Sequence, residues 1–228
     1  PTTISIVIPT LNEADCVGKL VNYLFQHQTE TLAEIIVVDG KSSDRTVATA
    51  QKMGAKVVIS PKRGRANQMN LGSKIAKGDI LYFVHCDTFP PTTYLSDIQA
   101  AVRNGFPIGC FQTKFDTNRT LVKTNSWWSQ FDFLFCRGGD QTLFVTKKVF
   151  DDLDGYKEMR IMEEYDFLIR ARKKYPFKII PSRVLVSARK YDNRSYVKVQ
   201  FANVIVFNMF RFGASQDRLV RTYRQLLG

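Results

Sequence analysis

The chain has 228 residues, of which 44% are hydrophobic, so it can bury a sizeable core and is not an intrinsically disordered protein. Lysine and arginine outnumber the acidic residues by 33 to 21, which gives a formal net charge of +12. A charge of this sign favours anionic partners, such as phosphates, nucleic acid or an acidic membrane surface, but does not choose among them.

The first third of the chain alternates between short apolar runs and segments with helical spacing. We predict strands at 4–9, 34–39, 55–60 and 79–87, separated by helices at 15–26, 43–53 and 65–76. Each strand is apolar on both faces, which is typical of a parallel sheet covered by helices on both sides. The sequence therefore predicts an α/β fold with a Rossmann-like, mostly parallel central sheet and helices on both faces.

The second half of the chain mixes strand and helix patterns. We predict strands at 108–115, 141–146, 177–181 and 184–188, and an amphipathic helix at 163–175. No internal repeat or low-complexity linker interrupts these elements, so we expect a single domain spanning residues 1–228.

The cysteines and the first residues bear on the cellular compartment. The four cysteines form no C-x-x-C pair and are too few for a disulfide scaffold, so we expect a reducing, cytoplasmic environment. The opening PTTISIVIP has no basic region followed by an apolar one, so we expect no signal peptide there.

Polar residues follow three of the predicted strands, at the edge where parallel sheets bind ligands. Asn12 follows the first strand, Asp39 ends the second and Asp87 ends the fourth. Asp39 suits hydrogen bonds to a ribose or a base, and Gly40 permits close approach of the backbone, although a simple Asp-Gly turn is the alternative. The chain has neither a P-loop nor a G-x-G-x-x-G after its first strand.

Charged residues near this edge suit a diphosphate. Lys62, Arg63 and Arg65 precede a predicted helix, where cations can hold phosphate oxygens, although a solvated basic loop is the alternative. Asp87 can hold a divalent metal together with such oxygens, or it can simply cap a strand end.

Three acids lie at the start of the predicted helix 163–175. Glu163, Glu164 and Asp166 are favoured there by the helix dipole, which needs no functional role. The functional alternative is a general base that removes a proton from an acceptor hydroxyl.

Four segments of the chain, taken in order, resemble one enzyme family. They read SIVIPTLNEA, EIIVVDGKSSDRT, GRANQMNLGSKIAKGDILYFVHCDT and GGDQTLFVTKKVFDDLDGYKEMRIMEEYDF, and the resemblance extends from about Ile4 to Lys174. The chain resembles an inverting family 2 glycosyltransferase of the GT-A fold, from a small bacterial subgroup. It departs from the family pattern in two motifs: D-x-D reads His85-Cys86-Asp87, and E-D reads Glu163-Glu164.

The resemblance implies inverting transfer of a sugar from a nucleotide diphosphate sugar to a hydroxyl acceptor, assisted by Mn²⁺ or Mg²⁺. It implies catalytic roles for Glu164 and Glu163 and metal binding by Asp87 and His85. The substrate-binding residues that it implies are Pro9, Asn12, Glu13, Asp39, Gly40, Ser42, Arg63, Arg65, Asp140 and Gln141.

The resemblance suggests roles for the first two parts of the expected single domain, and the pattern of the last residues defines a third. Residues 1–90 would bind the nucleotide sugar, residues 91–190 would form the acceptor and catalytic half, and residues 191–228 would form an apolar and basic helical tail.

This tail is apolar on more than one helical face and is then followed by arginines. Such a helix must be buried in the core, in a homodimer contact or in a membrane interface. Its arginines could meet anionic head groups at the inner face of the membrane, which would suit a lipid-linked acceptor. The segment is too short and too interrupted by polar residues to span a bilayer.

Three other functions compete with glycosyl transfer. A sugar-phosphate nucleotidyltransferase would carry a glycine-rich basic loop after its first strand, where this chain has TLNEAD. A nucleic-acid-binding protein would show aromatic and basic residues on an open sheet, whereas these strands are apolar on both faces. The two motif departures also leave open an inactive relative of the family.

Overall fold

The computed structural model describes residues 2–117, 119, 126–134, 142–188 and 195–228. In this part of the chain eight strands form one sheet, in the order β3–β2–β1–β4–β7–β6–β8–β5. The strands are β1 (Ile4–Thr10), β2 (Leu32–Asp39), β3 (Lys56–Ile59), β4 (Ile80–Phe83), β5 (Thr88–Phe89), β6 (Ile108–Asp116), β7 (Leu143–Thr146) and β8 (Phe177–Ser187). β1 pairs in parallel with β2 and β4, and β7 runs antiparallel to β4 and β6. The predicted mostly parallel α/β sheet is confirmed.

Helices cover both faces of this sheet, as predicted. They are α1 (Ala14–Gln26), α2 (Thr46–Lys52), α3 (Arg65–Ile75), α4 (Tyr94–Arg103), α5 (Lys147–Asp152), α6 (Glu163–Arg172), α7 (Tyr196–Arg211) and α8 (Gln216–Leu227). Side chains of α1, α4 and α7 enter the core on one face, and those of α3, α5 and α6 enter the core on the other. The strands alternate between the two cores, so that Ile6 and Ile8 of β1 face one and Val7 faces the other.

The fourth strand is shorter than the predicted 79–87. β4 ends at Phe83, and the chain then turns, with the Thr88 N–H donating to the His85 carbonyl at 3.0 Å. Thr88 and Phe89 form β5, which pairs with β8. Asp87 therefore lies in the loop between β4 and β5, where its carbonyl accepts a hydrogen bond from the Ser187 N–H at 2.9 Å.

The two predicted strands at 177–181 and 184–188 are one strand, β8. Its pairing with β6 shifts between Ile180 and Arg183, so Pro181 and Ser182 form a bulge. Proline has no N–H to donate, which gave the false appearance of a strand end. The sequence patterns also missed α4 and α5.

The tail forms two helices that belong to the fold. Val199, Ala202 and Val206 of α7 are buried, as are Leu219 and Val220 of α8. Within the described residues, no helix combines the length and the apolar character that crossing a bilayer requires.

Gly72 allows α3 to lie closely against the sheet. A Cβ at this position would lie 2.3 Å from Cγ1 of Val7, which is fully buried. We therefore expect Gly72→Ala to lower the free energy of unfolding by about 1–3 kcal/mol, since an overpacked core must shift. Urea denaturation checks this, with Lys74→Ala on the exposed side of the same helix as the control. Equal stability of the two variants would contradict the close contact.

Candidate active site

Asp39 is fully buried at the end of β2, and both of its carboxylate oxygens accept hydrogen bonds. Oδ1 accepts from the Thr10 and Ser42 hydroxyls at 3.2 and 2.5 Å, and Oδ2 accepts from the Ser42 N–H at 2.7 Å. These contacts link the ends of β1 and β2 through one carboxylate. Asp39 thus shapes the edge where a nucleoside is expected, in addition to any contact with a ligand.

The loops after β1 and β2 hold each other. The Asn12 N–H donates to the Ser42 hydroxyl at 2.8 Å, and the Asn12 side-chain oxygen accepts from the Ser43 N–H at 2.9 Å. Asn12 has a φ of 55°, a left-handed conformation that asparagine tolerates better than most residues. The Glu13 N–H donates to the Thr46 hydroxyl at 2.8 Å. The structure therefore places Asn12, Glu13 and Ser42 together, beside Asp39.

Gln68 connects α3 to this edge and was not among the predicted site residues. Its buried side-chain amide donates to the carbonyls of Thr10 and Val38 at 2.8 and 2.7 Å. The Gln68 amide also lies close to Gly40, where a Cβ would come within 3.2 Å of it. Pro9 is buried in β1 and pairs in register with Val38. Because glutamine is polar, a buried glutamine does not contribute to the apolar spacing of a helix, so hydrophobic periodicity could not predict this position.

The basic residues before and at the start of α3 have different surroundings. The Lys62 ammonium lies 3.2 Å from Glu158, and both side chains are mostly exposed. Arg63 donates to the Lys41 carbonyl at 3.5 Å. Arg65 reaches the start of α6, where its Nε lies 3.0 Å from Oε1 of Glu163. Arg65 therefore connects the predicted diphosphate loop with the predicted catalytic helix.

Glu163 and Glu164 begin α6 directly after Met162, which has a left-handed φ of 71°. Glu163 is 2% exposed, and neither of its carboxylate oxygens accepts a hydrogen bond from the described residues. Burial, opposed by the charge of Arg65, raises the pKa of Glu163. Its contact with Arg65 is therefore an ion pair without hydrogen-bond geometry, in which the carboxylate is buried and the arginine is half-exposed.

Glu164 is held by His85, which comes from the loop after β4. His85 Nε2 lies 3.1 Å from Oε1 of Glu164, and each side chain is 14% exposed. Burial alone would raise the pKa of Glu164, but the His85 hydrogen bond and the charge of Arg65 hold it below its ordinary value. Glu164 is thus ionised at neutral pH and still reachable from solvent, as a general base must be.

Tyr156 closes the inner side of this cluster. It is 2% exposed, and its hydroxyl has no hydrogen-bond partner among the described residues. Burial, together with the nearby charges of Glu164 and Glu163, raises its pKa well above the ordinary value. Its ring packs against Phe83, Phe150 and Phe167. Because Tyr156 comes from a loop, no pattern in the sequence predicted this contact.

The loop that leads into α6 is fixed at both ends. Asn70 of α3 exchanges two hydrogen bonds with the Tyr156 backbone, at 2.7 and 2.9 Å. The Gln216 side chain of α8 accepts from the N–H groups of Arg160 and Ile161, at 3.0 and 3.3 Å. The tail therefore helps to position the start of α6.

Asp87 offers one carboxylate to a metal. Oδ1 accepts from the Thr88 hydroxyl at 3.3 Å, and the side chain is half-buried in the loop after β4. In the described part of the chain no group of three histidine, cysteine or acidic residues could hold an ion by itself. A single carboxylate fits an Mg²⁺ or Mn²⁺ ion that takes its other ligands from phosphate oxygens and water. Asp140 and Gln141, also predicted to bind substrate, lie outside the described residues.

The fold resembles solved glycosyltransferases of the GT-A type. Glucosyl-3-phosphoglycerate synthase from Mycobacterium tuberculosis, solved with Mn²⁺, UDP-glucose and phosphoglyceric acid, superposes with a TM-score of 0.66 at 19% identity, over 94% of this chain and 81% of that one. TarS from S. aureus superposes with a TM-score of 0.67 at 16% identity, over 98% of this chain and 71% of that one. At these identities the likeness shows the fold alone.

Relatives with known names match part of the chain. Glucosyl-3-phosphoglycerate synthase from Mycolicibacterium smegmatis is 33% identical over 97 residues, covering 39% of this chain and 32% of the relative. Dolichol-phosphate mannosyltransferase from Pyrococcus furiosus is 28% identical over 110 residues, covering 46% of this chain and 31% of the relative. The chain thus aligns with about a third of the length of these relatives. The profile of glycosyl transferase family 2 matches residues 5–160, more than half of the chain, and this chain belongs to that family.

Proposed function

We propose that this glycosyltransferase transfers a sugar from a nucleotide diphosphate sugar to a hydroxyl acceptor, with inversion and with a divalent metal. One observation carries the proposal: residues from the donor side reach both acids of the catalytic motif. Arg65 contacts Glu163 at 3.0 Å, and His85 contacts Glu164 at 3.1 Å. A donor bound at the edge formed by Asp39 and Asp87 would therefore lie beside a fixed base.

Glu164 acts as the base in this proposal. Its carboxylate takes the proton of the acceptor as the acceptor oxygen bonds to the anomeric carbon. The bond from that carbon to the diphosphate oxygen breaks on the opposite face, so the configuration inverts and the nucleoside diphosphate leaves. His85 orients the carboxylate through Oε1, which leaves Oε2 to face the acceptor.

Charge neutralisation at the leaving diphosphate is the second requirement. Arg63 and Arg65 supply positive charge from the loop and the first turn of α3. Asp87 would hold the divalent ion, which when bound adds Lewis-acid stabilisation of the diphosphate. The ring of His85 already uses Nε2 for Glu164, so only Nδ1 remains for a ligand role.

Product analysis tests this proposal. Relatives are named for 3-phosphoglycerate and for a dolichyl-linked sugar phosphate, both of which carry hydroxyls, so these acceptor types are offered together with UDP- and GDP-sugars. Proton NMR of the product reports the anomeric configuration. Transfer with inversion supports the proposal, whereas retention of the donor configuration would contradict the single displacement.

We also propose that one face of α7 contacts an anionic membrane. Val197, Phe201 and Val204 are spaced along a single face of the helix and are 62%, 59% and 54% exposed. Phe212 follows at 87% exposed. The tail also carries four exposed arginines, Arg211 at the end of α7 and Arg218, Arg221 and Arg224 on α8. An exposed apolar helix face and exposed arginines in the same tail suit an interface with acidic head groups.

Phe201→Ser should weaken sedimentation with anionic vesicles at low salt, because it removes a large apolar side chain from the contact. A loss of about tenfold in partitioning is expected from the transfer of one such side chain. Ile59→Ser, which changes a residue that is 48% exposed on β3, is the matched control. Unchanged sedimentation, together with a wild-type dimer that Phe201→Ser dissociates, would assign this face to a homodimer.

A further inference from the structure

A cavity of about 930 Å³ opens beside the last residues of β6 and β8. Nothing in the catalytic cluster uses it. Its lining includes Lys114, Asp116, Ser126, Trp127, Arg183 and Leu185. Polar and apolar side chains both contribute to its wall, so it suits a ligand that has both an ionic and an apolar part.

The strand alternation places this cavity on the same face of the sheet as the catalytic helix. Phe111 and Phe115 of β6 enter the core shared with α1 and α4, whereas Ile108 enters the core shared with α6. Lys114 and Asp116 lie an even number of residues after Ile108 on the same strand, so their side chains are on the same face of the sheet as that of Ile108. Both are exposed. They therefore lie on the face of α6, beyond the part of the sheet that α6 covers.

The cavity also lies at the metal end of the sheet. Leu185 of its wall pairs in register with Phe89, two residues after Asp87. The next contact along β8 is the hydrogen bond from the Ser187 N–H to the Asp87 carbonyl. A ligand in the cavity would thus lie at the end of the sheet that carries the loop of Asp87.

Charge at the cavity is positive. Lys114 and Arg183 make no ion pair within the described residues, and Asp116 is the only acid among the lining residues named above. Two cations match a phosphate monoester, which carries about −1.5 to −2 charges at neutral pH. Arginine adds a planar pair of donors that fits phosphate oxygens.

The apolar wall is held in place by the part of β6 that extends beyond its pairing with β7. The Phe115 N–H donates to the Ser126 hydroxyl at 3.2 Å, and the Thr113 N–H donates to the Ser129 hydroxyl at 3.0 Å. These bonds anchor the turn that carries Trp127, whose ring also packs edge-on against Phe131 at 4.6 Å. Trp127 nevertheless remains 56% exposed, a large apolar surface on a fixed support.

We propose that this cavity binds an anionic amphiphile, with a phosphate against Lys114 and Arg183 and an apolar chain against Trp127 and Leu185. The ligand is the acceptor of glycosyl transfer, an assignment that rests on the function proposed above. The phosphate contacts orient the acceptor, a separate hydroxyl of which receives the sugar, and the apolar wall selects acceptors that carry a hydrocarbon part.

Calorimetric titration of the full chain with geranyl phosphate, in the absence of donor, tests the proposal. We expect saturable binding to the wild type, at least about tenfold weaker in the double variant Lys114→Gln/Arg183→Gln, because two charge-assisted contacts are lost. Lys148→Gln/Arg103→Gln, which changes two exposed cations elsewhere, should bind as the wild type does. Geraniol and inorganic phosphate, each offering half of the recognised chemistry, should bind at least about tenfold more weakly.

Two outcomes would overturn the proposal: equal affinity of both double variants for geranyl phosphate, or wild-type affinity for inorganic phosphate that equals that for geranyl phosphate. Thermal unfolding shows whether the cavity variant is folded. Binding of a nucleotide diphosphate sugar to the same preparations separates failure of the cavity from failure of the transferase function. A folded variant that binds donor normally but not geranyl phosphate supports the acceptor assignment.

Discussion

Glu164→Gln is expected to lower turnover by about a hundredfold to ten-thousandfold while leaving donor affinity unchanged. The amide keeps the shape of the side chain and its hydrogen bond to His85 but cannot take a proton, so the loss falls on the chemical step. Initial rates and donor titrations on the same preparation measure the two quantities. Glu158→Gln, which alters an exposed acid paired with Lys62, is the control and should retain turnover.

Normal turnover of Glu164→Gln would contradict this role of Glu164. Asp166 is a poor substitute base, because its carboxylate is occupied by Lys157 at 3.0 Å and Arg170 at 2.7 Å. Glu163 is nearly inaccessible to an acceptor and is paired with Arg65. A base in that event would have to come from outside this cluster.

Asp87→Ala is expected to abolish the part of nucleotide stabilisation that depends on Mn²⁺. A ligand at a hundred times its Kd stabilises a folded protein by about 2.7 kcal/mol. For a chain of this size that corresponds to roughly 5–10 °C in Tm, which thermal unfolding resolves easily. Asp151→Ala, at an exposed position on α5, should keep the full effect.

A Mn²⁺-linked rise in Tm that survives Asp87→Ala would show that the metal is held elsewhere. The structure motivates the opposite expectation, since the Asp87 backbone is fixed by Ser187 and its carboxylate is only half-buried. Removing the side chain leaves those backbone contacts in place, so the fold should be retained.

Much of the sheet could be predicted because its strands carry a strong local pattern. β1 and β2 are apolar on both faces, and that pattern alone placed Asp39 at a carboxyl edge. The extra length of β8 could not be predicted, because Pro181 looks like a strand end until its partner β6 accommodates a bulge. Local sequence does not reveal how a distant strand will pair.

The sequence predicts residues of the candidate site but not the contacts between them. Asp87, Glu163 and Glu164 were recognised from motif order, yet the contact between His85 and Glu164 joins residues 79 positions apart. The supporting roles of Gln68 and Gln216 are equally non-local, since each side chain bonds to backbone groups of other elements. Such contacts arise from topology, so a pattern within one segment cannot contain them.

The central claim is that a nucleotide diphosphate sugar binds at the edge formed by β1, β2 and the loop of Asp87. Calorimetric titration of the wild type with UDP-, GDP-, dTDP- and CDP-sugars, each with and without Mn²⁺, tests it most directly. We expect donors of one base to bind saturably and Mn²⁺ to tighten this binding. Failure of all four donor types to bind, with and without Mn²⁺, would contradict it.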